Sequence, residues 1–236
     1  MANVNDQKKL GIIGGMGAEA TVVLFNMIVE RTKASCDQDH IPTLIYSDSH
    51  MPDRTAAILS GDTEAPRQRL VADGKFLAES GCVCLAVPCN TAHFFAEDIE
   101  EAAGIPVLHM PRLTGKRIAE KGRKKAAILA TDGTVQSGIY HKALEAAGVE
   151  PWTPEEDIQK QIMSVIYDKI KAGDPGEKSD FDAIDAAARE AGCDCAILGC
   201  TELSVFDAHH HLDKDFYIDP MAVLSDNCVA FFGKQK

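Results

Sequence analysis

The chain has 236 residues, 45% of them apolar and 25% charged, with a formal net charge of −12. That acidity disfavours nucleic acid and anionic membranes as partners, and no apolar run approaches the roughly 20 residues of a membrane span. The polar start MANVNDQKK lacks the apolar stretch of a secretory signal, so the expected location is cytoplasmic and the eight cysteines are expected as thiols rather than disulfides.

In chain order, KKLGIIGGMG (8–17) reads as a short apolar run entering a glycine-rich turn. A helix follows over 18–33, with Val22, Val23, Met27 and Val29 expected on its apolar face. TLIY (43–46) is expected as a buried strand, 63–80 as a helix and CVCLAVP (82–88) as a strand. A helix runs from about Thr91 to Ala103, and PVLHM (106–110) is expected as a fourth strand. Short apolar runs alternating with helices imply parallel strands joined by helical crossovers. The order then starts again. KKAAILATDG (124–133) matches KKLGIIGGMG, and DFYIDP (215–220) echoes PVLHMP. A last helix, MAVLSDNCVAFF (221–232), is able to pack on either half.

The repeat is sharpest at its third strand, which reads GCVCLAVPCNT at 81–91 and GCDCAILGCTE at 192–202. The expected fold is therefore α/β, with two similar units and a boundary near 111–115. Cys89 and Cys200 occupy matching points, each at a strand-to-helix turn. Ligands of open parallel sheets bind beyond the carboxyl ends of the strands, and a helix start favours a thiolate. Two thiols flanking a shared cleft about a pseudo-twofold axis would take a proton from one face of a substrate carbon and return one to the other. Cys82, Cys84, Cys193 and Cys195 lie within apolar strands and are expected to be core filler; Cys36 and Cys228 are expected to be inert.

Two other chemistries compete. The C-x-C spacing within a strand does not suit the C-x₂₋₄-C pattern of zinc sites, and the His209–His211 run reads as a solvated loop, so no metal is expected. Gly15 to Ala20 satisfies a loose G-x-G-x-x-A fingerprint after a strand, which keeps an NAD(P)-dependent oxidoreductase as the reading from another class. The acid at the next strand end, Asp48, comes too late for that pattern, and ATDGTVQSG in the second half lacks it. A third reading, a non-catalytic two-lobed ligand binder, leaves the paired thiols without a purpose.

Taken together, GGMGAEAT (14–21), MPDRTAAIL (51–59), PCNTAH (88–93), KAG (171–173) and GCTEL (199–203) resemble the aspartate/glutamate racemase family, and within it the cofactor-independent aspartate racemases. The resemblance spans nearly the whole chain. It implies two Rossmann-like lobes facing one another: 1–111, with the C-terminal helix 221–236 packing back on it, and 112–220. It implies a racemase of aspartate, or of glutamate or another amino acid, that needs no pyridoxal phosphate, metal or nicotinamide and works as a homodimer.

Cys89 and Cys200 fall on the family's catalytic positions. Met16, Asn90, Thr91, Thr131 and Thr201 match residues around the substrate. Arg54 and Lys171 match the cationic positions, and an arginine offers a planar two-pronged fit to a substrate's second carboxylate. Glu202 either orients Cys200 or caps the following helix, and His93 reads as structural. One departure stands out. In SDSHMPDRT (47–55), Asp48 and His50 occupy the loop where many relatives have an Asn-Pro pair shortly before PDRT, and an acid pointing inward there would oppose a dianionic substrate.

Overall fold

The computed structural model describes residues 8–236. It divides into two compact units. One takes in the chain through Met110 together with Met221–Lys236, and the other is Pro111–Pro220.

The first unit holds three parallel strands, β1 (Lys9–Gly14), β2 (Thr43–Ser47) and β3 (Cys82–Ala86), in the order β2-β1-β3. In the register, Ile12 of β1 lies beside Ile45 on one side and Ala86 on the other. The central position of β1 explains its nearly unbroken apolar run, because a parallel strand covered on both faces has no polar side. Its helices are α1 (Ala18–Arg31), α2 (Arg54–Ser60), α3 (Glu64–Glu79), α4 (Ala96–Ala103) and the start of α5 (Met110–Glu120).

Three expectations about this unit need correction. The strand TLIY is not buried: β2 is an edge strand, and its Ile45 and Tyr46 are exposed. The buried face of α1 is Ala20, Thr21, Leu24 and Ile28, whereas Val22 is 68% exposed and Val29 also faces out. The cause is Thr21. Its hydroxyl accepts the Gly15 N–H at 3.0 Å, and a Cβ on Gly14 would stand 2.4 Å from its methyl group. That close seat fixes the roll of the helix more firmly than valine burial does. The run PVLHM is not a strand either. It makes one bridge, Leu85 to Val107, before the chain turns into α5 at Met110.

The second unit holds β4 (Lys125–Leu129), β5 (Glu150–Trp152), β6 (Cys195–Leu198) and β7 (Tyr217–Ile218), all parallel, in the order β5-β4-β6-β7. Around them run α6 (Asp132–Ser137), α7 (Ile139–Ala146), α8 (Glu156–Ser164), α9 (Asp182–Glu190) and α10 (Thr201–His210), and α11 (Pro220–Phe231) carries the chain back into the first unit. After α8 the helix widens into a π-helical turn, Val165–Lys169. Each unit has its own core. Ile13, Leu70, Leu77, Leu85, Phe95 and Ile99 centre one; Leu129, Ile162, Ile166, Ile184, Leu198 and Phe206 centre the other. The residues after α11 are tied to α1's end, since Lys33 N–H donates to Lys234 O at 2.8 Å and Thr32 bridges Gln235. Among the described residues, no helix is long and apolar enough to cross a membrane.

Candidate active site

The carboxyl ends of the strands carry every candidate residue except Lys171. In the first unit, β1 ends in a turn whose Gly15 has φ +86°, a left-handed conformation that glycine adopts without strain. Met16 follows and is buried in one apolar cluster with Met51 and Cys89. At the end of β2, Asp53 caps α2 by accepting the Ala56 N–H at 2.8 Å. Arg54 opens that helix, and its Nη1 donates to the Pro52 carbonyl at 2.8 Å and to the Met51 carbonyl at 3.4 Å.

At the end of β3, Cys89, Asn90 and Thr91 are all buried. A 3₁₀ turn, Thr91–Phe95, follows the cysteine in place of the expected α-helix, which starts only at Ala96. His93 is buried on this turn, with Nδ1 2.9 Å from the Cys89 carbonyl oxygen. Burial pushes its pKa down to about 4. The ring is therefore neutral near pH 7, and its Nδ1–H donates to that carbonyl. His93 holds the backbone of Cys89 in place, in keeping with a structural role.

In the second unit, Thr131 ends β4 and caps α6, its Oγ1 accepting the Thr134 N–H at 3.3 Å. At the end of β6, Gly199 N–H donates to Leu129 O at 2.6 Å, so the strand before Cys200 is tied to β4 up to its last residue. Cys200 is the N-cap of α10. Its Sγ donates to Glu202 Oε2 at 2.7 Å, and the Thr201 hydroxyl reaches the same oxygen at 3.3 Å. Lys171 Nζ stands 3.5 Å from Glu202 Oε1 and 4.6 Å from the centroid of the Tyr167 ring. The π-helical turn presents Tyr167, and Lys171 lies two residues beyond its end. Tyr167, with Asp132, Gln159 and Met163, also lines an open depression of about 460 Å³.

The expectation that a helix start lowers the Cys200 pKa fails. Burial first, and the Glu202 carboxylate second, push the thiol well above its ordinary value, with Lys171 opposing. A helix N-terminus is worth about 0.3–1 kcal/mol at exposed sites, less than the desolvation of a buried thiolate beside a carboxylate. Cys200 therefore rests as a thiol whose proton points at Glu202.

Thus the structure gathers Cys200, Thr201, Glu202 and Lys171 into one cluster and places Met16 with Cys89 in another. Arg54 sits at a neighbouring strand end of the first unit, and Thr131 at a neighbouring strand end of the second. Tyr167 was missed by sequence reasoning; its only signal is a position four residues before Lys171. Asp48 carries a further surprise. Its side chain is 2% exposed and is gripped by both Nε and Nη2 of Arg69. Among the described residues, no group of three or more His, Cys, Asp or Glu is placed to hold a metal ion.

Comparison with known proteins adds an independent line. Residues 13–228 match the family model described as Asp/Glu/hydantoin racemase. A broad-specificity amino-acid racemase of Bacillus subtilis is 29% identical over 94% of this chain and 97% of its own. The structure of Picrophilus torridus aspartate racemase is 29% identical with TM-score 0.81, covering 97% of this chain and 95% of that one. An aspartate racemase homologue from Pyrococcus horikoshii shares the fold at 21% identity and TM-score 0.77, over 96% of this chain and all of that one.

Proposed function

The chain belongs to the Asp/Glu/hydantoin racemase family and is an amino-acid racemase; from that premise we propose that it interconverts L- and D-aspartate, with Cys89 and Cys200 as the two acid–base groups. The observation that carries the mechanism is the 2.7 Å contact from Cys200 Sγ to Glu202. In one direction Cys89, as thiolate, removes the α-proton, and the Cys200 thiol delivers its proton to the opposite face of the carbanion. Cys200 is suited to that task because burial and Glu202 keep it protonated. In the other direction Cys200 is the base. It enters as the thiolate, with Lys171 as the nearby cation that opposes its raised pKa, and the Cys89 thiol delivers its proton to the other face of the carbanion. The proton count balances: one thiol and one thiolate enter, and the same two leave with their roles exchanged. No pyridoxal phosphate, metal or nicotinamide takes part in these steps.

Asn90, Thr91, Thr131 and Thr201 offer short polar groups at strand ends for the substrate's α-carboxylate and amine, and Met16 supplies an apolar wall. Arg54 meets the second carboxylate, which favours an acidic amino acid. Similarity to the Picrophilus enzyme supports aspartate. A second reading, a wider or glutamate-directed specificity, draws on the Bacillus relative and on a Pseudomonas aeruginosa glutamate racemase 30% identical over 57% of this chain. The apolar row Val22, Phe25 and Val29 exposed on α1 suits burial against a second copy in a homodimer.

Incubation with each L-amino acid in heavy water without added cofactor, followed by chiral chromatography and mass analysis, tests the reading. The expected result is D-aspartate carrying one deuterium at the α-carbon. Failure to form a D-isomer from either acidic amino acid overturns it.

A further inference from the structure

We infer that Asp48 and Arg69 are positioning residues that hold the Arg54 loop in its substrate-receiving form, so that this ion pair sets the affinity for an acidic amino acid. The inference rests on the reading of Arg54 as the residue that meets the substrate's second carboxylate.

Asp48 stands where two backbone segments meet. Its N–H donates to Gly14 O at 3.3 Å, and a Cβ on Gly15 would lie 2.4 Å from its carbonyl. The turn that carries Met16 and the loop that carries Arg54 therefore touch backbone to backbone at this residue. The side chain is equally committed. Oδ1 accepts the His50 N–H at 3.0 Å, and the two oxygens together take the fork of Arg69 from α3, with Nη2 to Oδ1 at 2.9 Å. Two residues of the loop follow as consequences. Met51 N–H closes a turn onto the Asp48 carbonyl, and the Met51 and Pro52 carbonyls receive the Arg54 guanidinium. A continuous set of contacts thus runs from Arg69 through Asp48 and the 48–51 turn to Arg54.

A buried carboxylate is tolerable only with a partner of this kind, and a bidentate arginine is the strongest one available. The Arg69 guanidinium holds the Asp48 carboxyl below the usual carboxylate range. The Asp48 acid is thereby neutralised within the unit, and its charge does not oppose a dianionic substrate. Loss of either partner breaks this set of contacts. It frees the loop, so that binding must also order Arg54. It also unbalances the charge beside it when Arg69 alone is removed.

The test is steady-state racemisation of the acidic amino acid by the parent and by Asp48→Asn, Arg69→Gln, Arg69→Lys and Arg54→Ala. Asp48→Asn and Arg69→Gln are expected to raise KM about tenfold while kcat stays within about threefold. Arg69→Lys, which keeps the charge but not the fork, is expected to recover part of the loss. Arg69 is 43% exposed, so its variants carry the test should Asp48→Asn fail to fold, as judged by far-ultraviolet circular dichroism. Unchanged or tighter KM in both Arg69→Gln and Asp48→Asn, with Arg54→Ala raising KM, overturns the inference and leaves the reading of Arg54 standing. A fall in kcat at constant KM also overturns it, as a merely structural defect. An unchanged KM in Arg54→Ala removes the reading of Arg54 and this inference with it.

Discussion

Pro88-Cys89-Asn90-Thr91 and Gly199-Cys200-Thr201-Glu202 are two copies of one strand end, and they give their sulfurs different surroundings. In the first, a proline stands before the cysteine and offers no N–H, and a 3₁₀ turn with a neutral histidine secures the backbone. In the second, the glycine N–H ties the strand to its neighbour, an α-helix begins at once, and a carboxylate receives the thiol. The repeat places the sulfurs, while at the second copy the residue two positions on, Glu202, receives the thiol. A symmetric sequence motif therefore gives its two sulfurs asymmetric surroundings.

The most severe test of that comparison removes the sulfurs one at a time. Cys89→Ser and Cys200→Ser are each expected to lower racemisation by about 10³-fold or more, as loss of a positioned acid–base group does. The remaining thiol should still exchange the α-proton of the enantiomer it serves. Proton NMR in heavy water separates exchange from inversion, and racemisation retained in either variant rules out the two-thiol mechanism. Next in size, Glu202→Gln is expected to cost about 10- to 100-fold in kcat and to change the titration of Cys200. The carboxylate is the second cause of the raised thiol pKa, after burial, so its removal moves thiolate formation to lower pH. Absorbance of the thiolate at 240 nm reports this, and an unmoved titration would show that Glu202 has no electrostatic hold on Cys200.

The same comparison extends to backbone space. A Cβ on Gly199 would lie 2.9 Å from both the Ala130 Cβ and the Leu129 carbonyl oxygen, so Gly199→Ala must push β6 from β4 and is expected to cost about 2 kcal/mol. Pro88→Ala, at the matching place, introduces no such contact through a new Cβ and is expected to cost less than about 1 kcal/mol. Urea denaturation of the two variants measures the difference. Equal losses would mean that the two strand ends are packed alike.

The class of fold was legible because β1, β3, β4 and β6 are short apolar runs between helices, and such runs have few other uses. The cysteine repeat was legible for the same reason, as a pattern in one dimension. What escaped depended on contacts between distant residues. The face of α1 was misjudged because Thr21, a polar residue, packs into the space above Gly14 and outweighs three valines. The strand expected at PVLHM reduces to one bridge because Met110 already begins a helix. β5 was missed because a three-residue strand containing Pro151 has no periodicity to detect. At the site, the spacing of Cys200 and Glu202 suggested contact, but the sign of the pKa shift did not follow from it. Burial of the thiol is a tertiary property, and it outweighs the helix start that the sequence does reveal.

The smallest effect concerns the helices that precede the two cysteine strands. Asp73 on α3 and Asp185 on α9 hold comparable places, each with an arginine four residues away. Asp185 is well supplied, with Tyr217 OH at 2.5 Å and Arg189 Nε at 2.8 Å. Asp73 is 6% exposed, and its neighbour Arg69 is engaged by Asp48. Burial, and then the charge of Asp48, push its pKa up from 3.8 to about 6. Between those two values the folded chain binds a proton that the unfolded chain does not, so stability falls as pH rises through that window. At pH 7 the folded state carries a desolvated carboxylate at a net cost. Asp73→Asn is therefore expected to stabilise the protein at pH 7 by about 1 kcal/mol, with the gain gone by pH 4, where Asp73 is already protonated. Thermal melting of parent and variant at both pH values measures this. An equal shift at pH 4 and pH 7 would mean that the effect is packing and not charge, and that α3 carries its buried acid as easily as α9 carries its paired one.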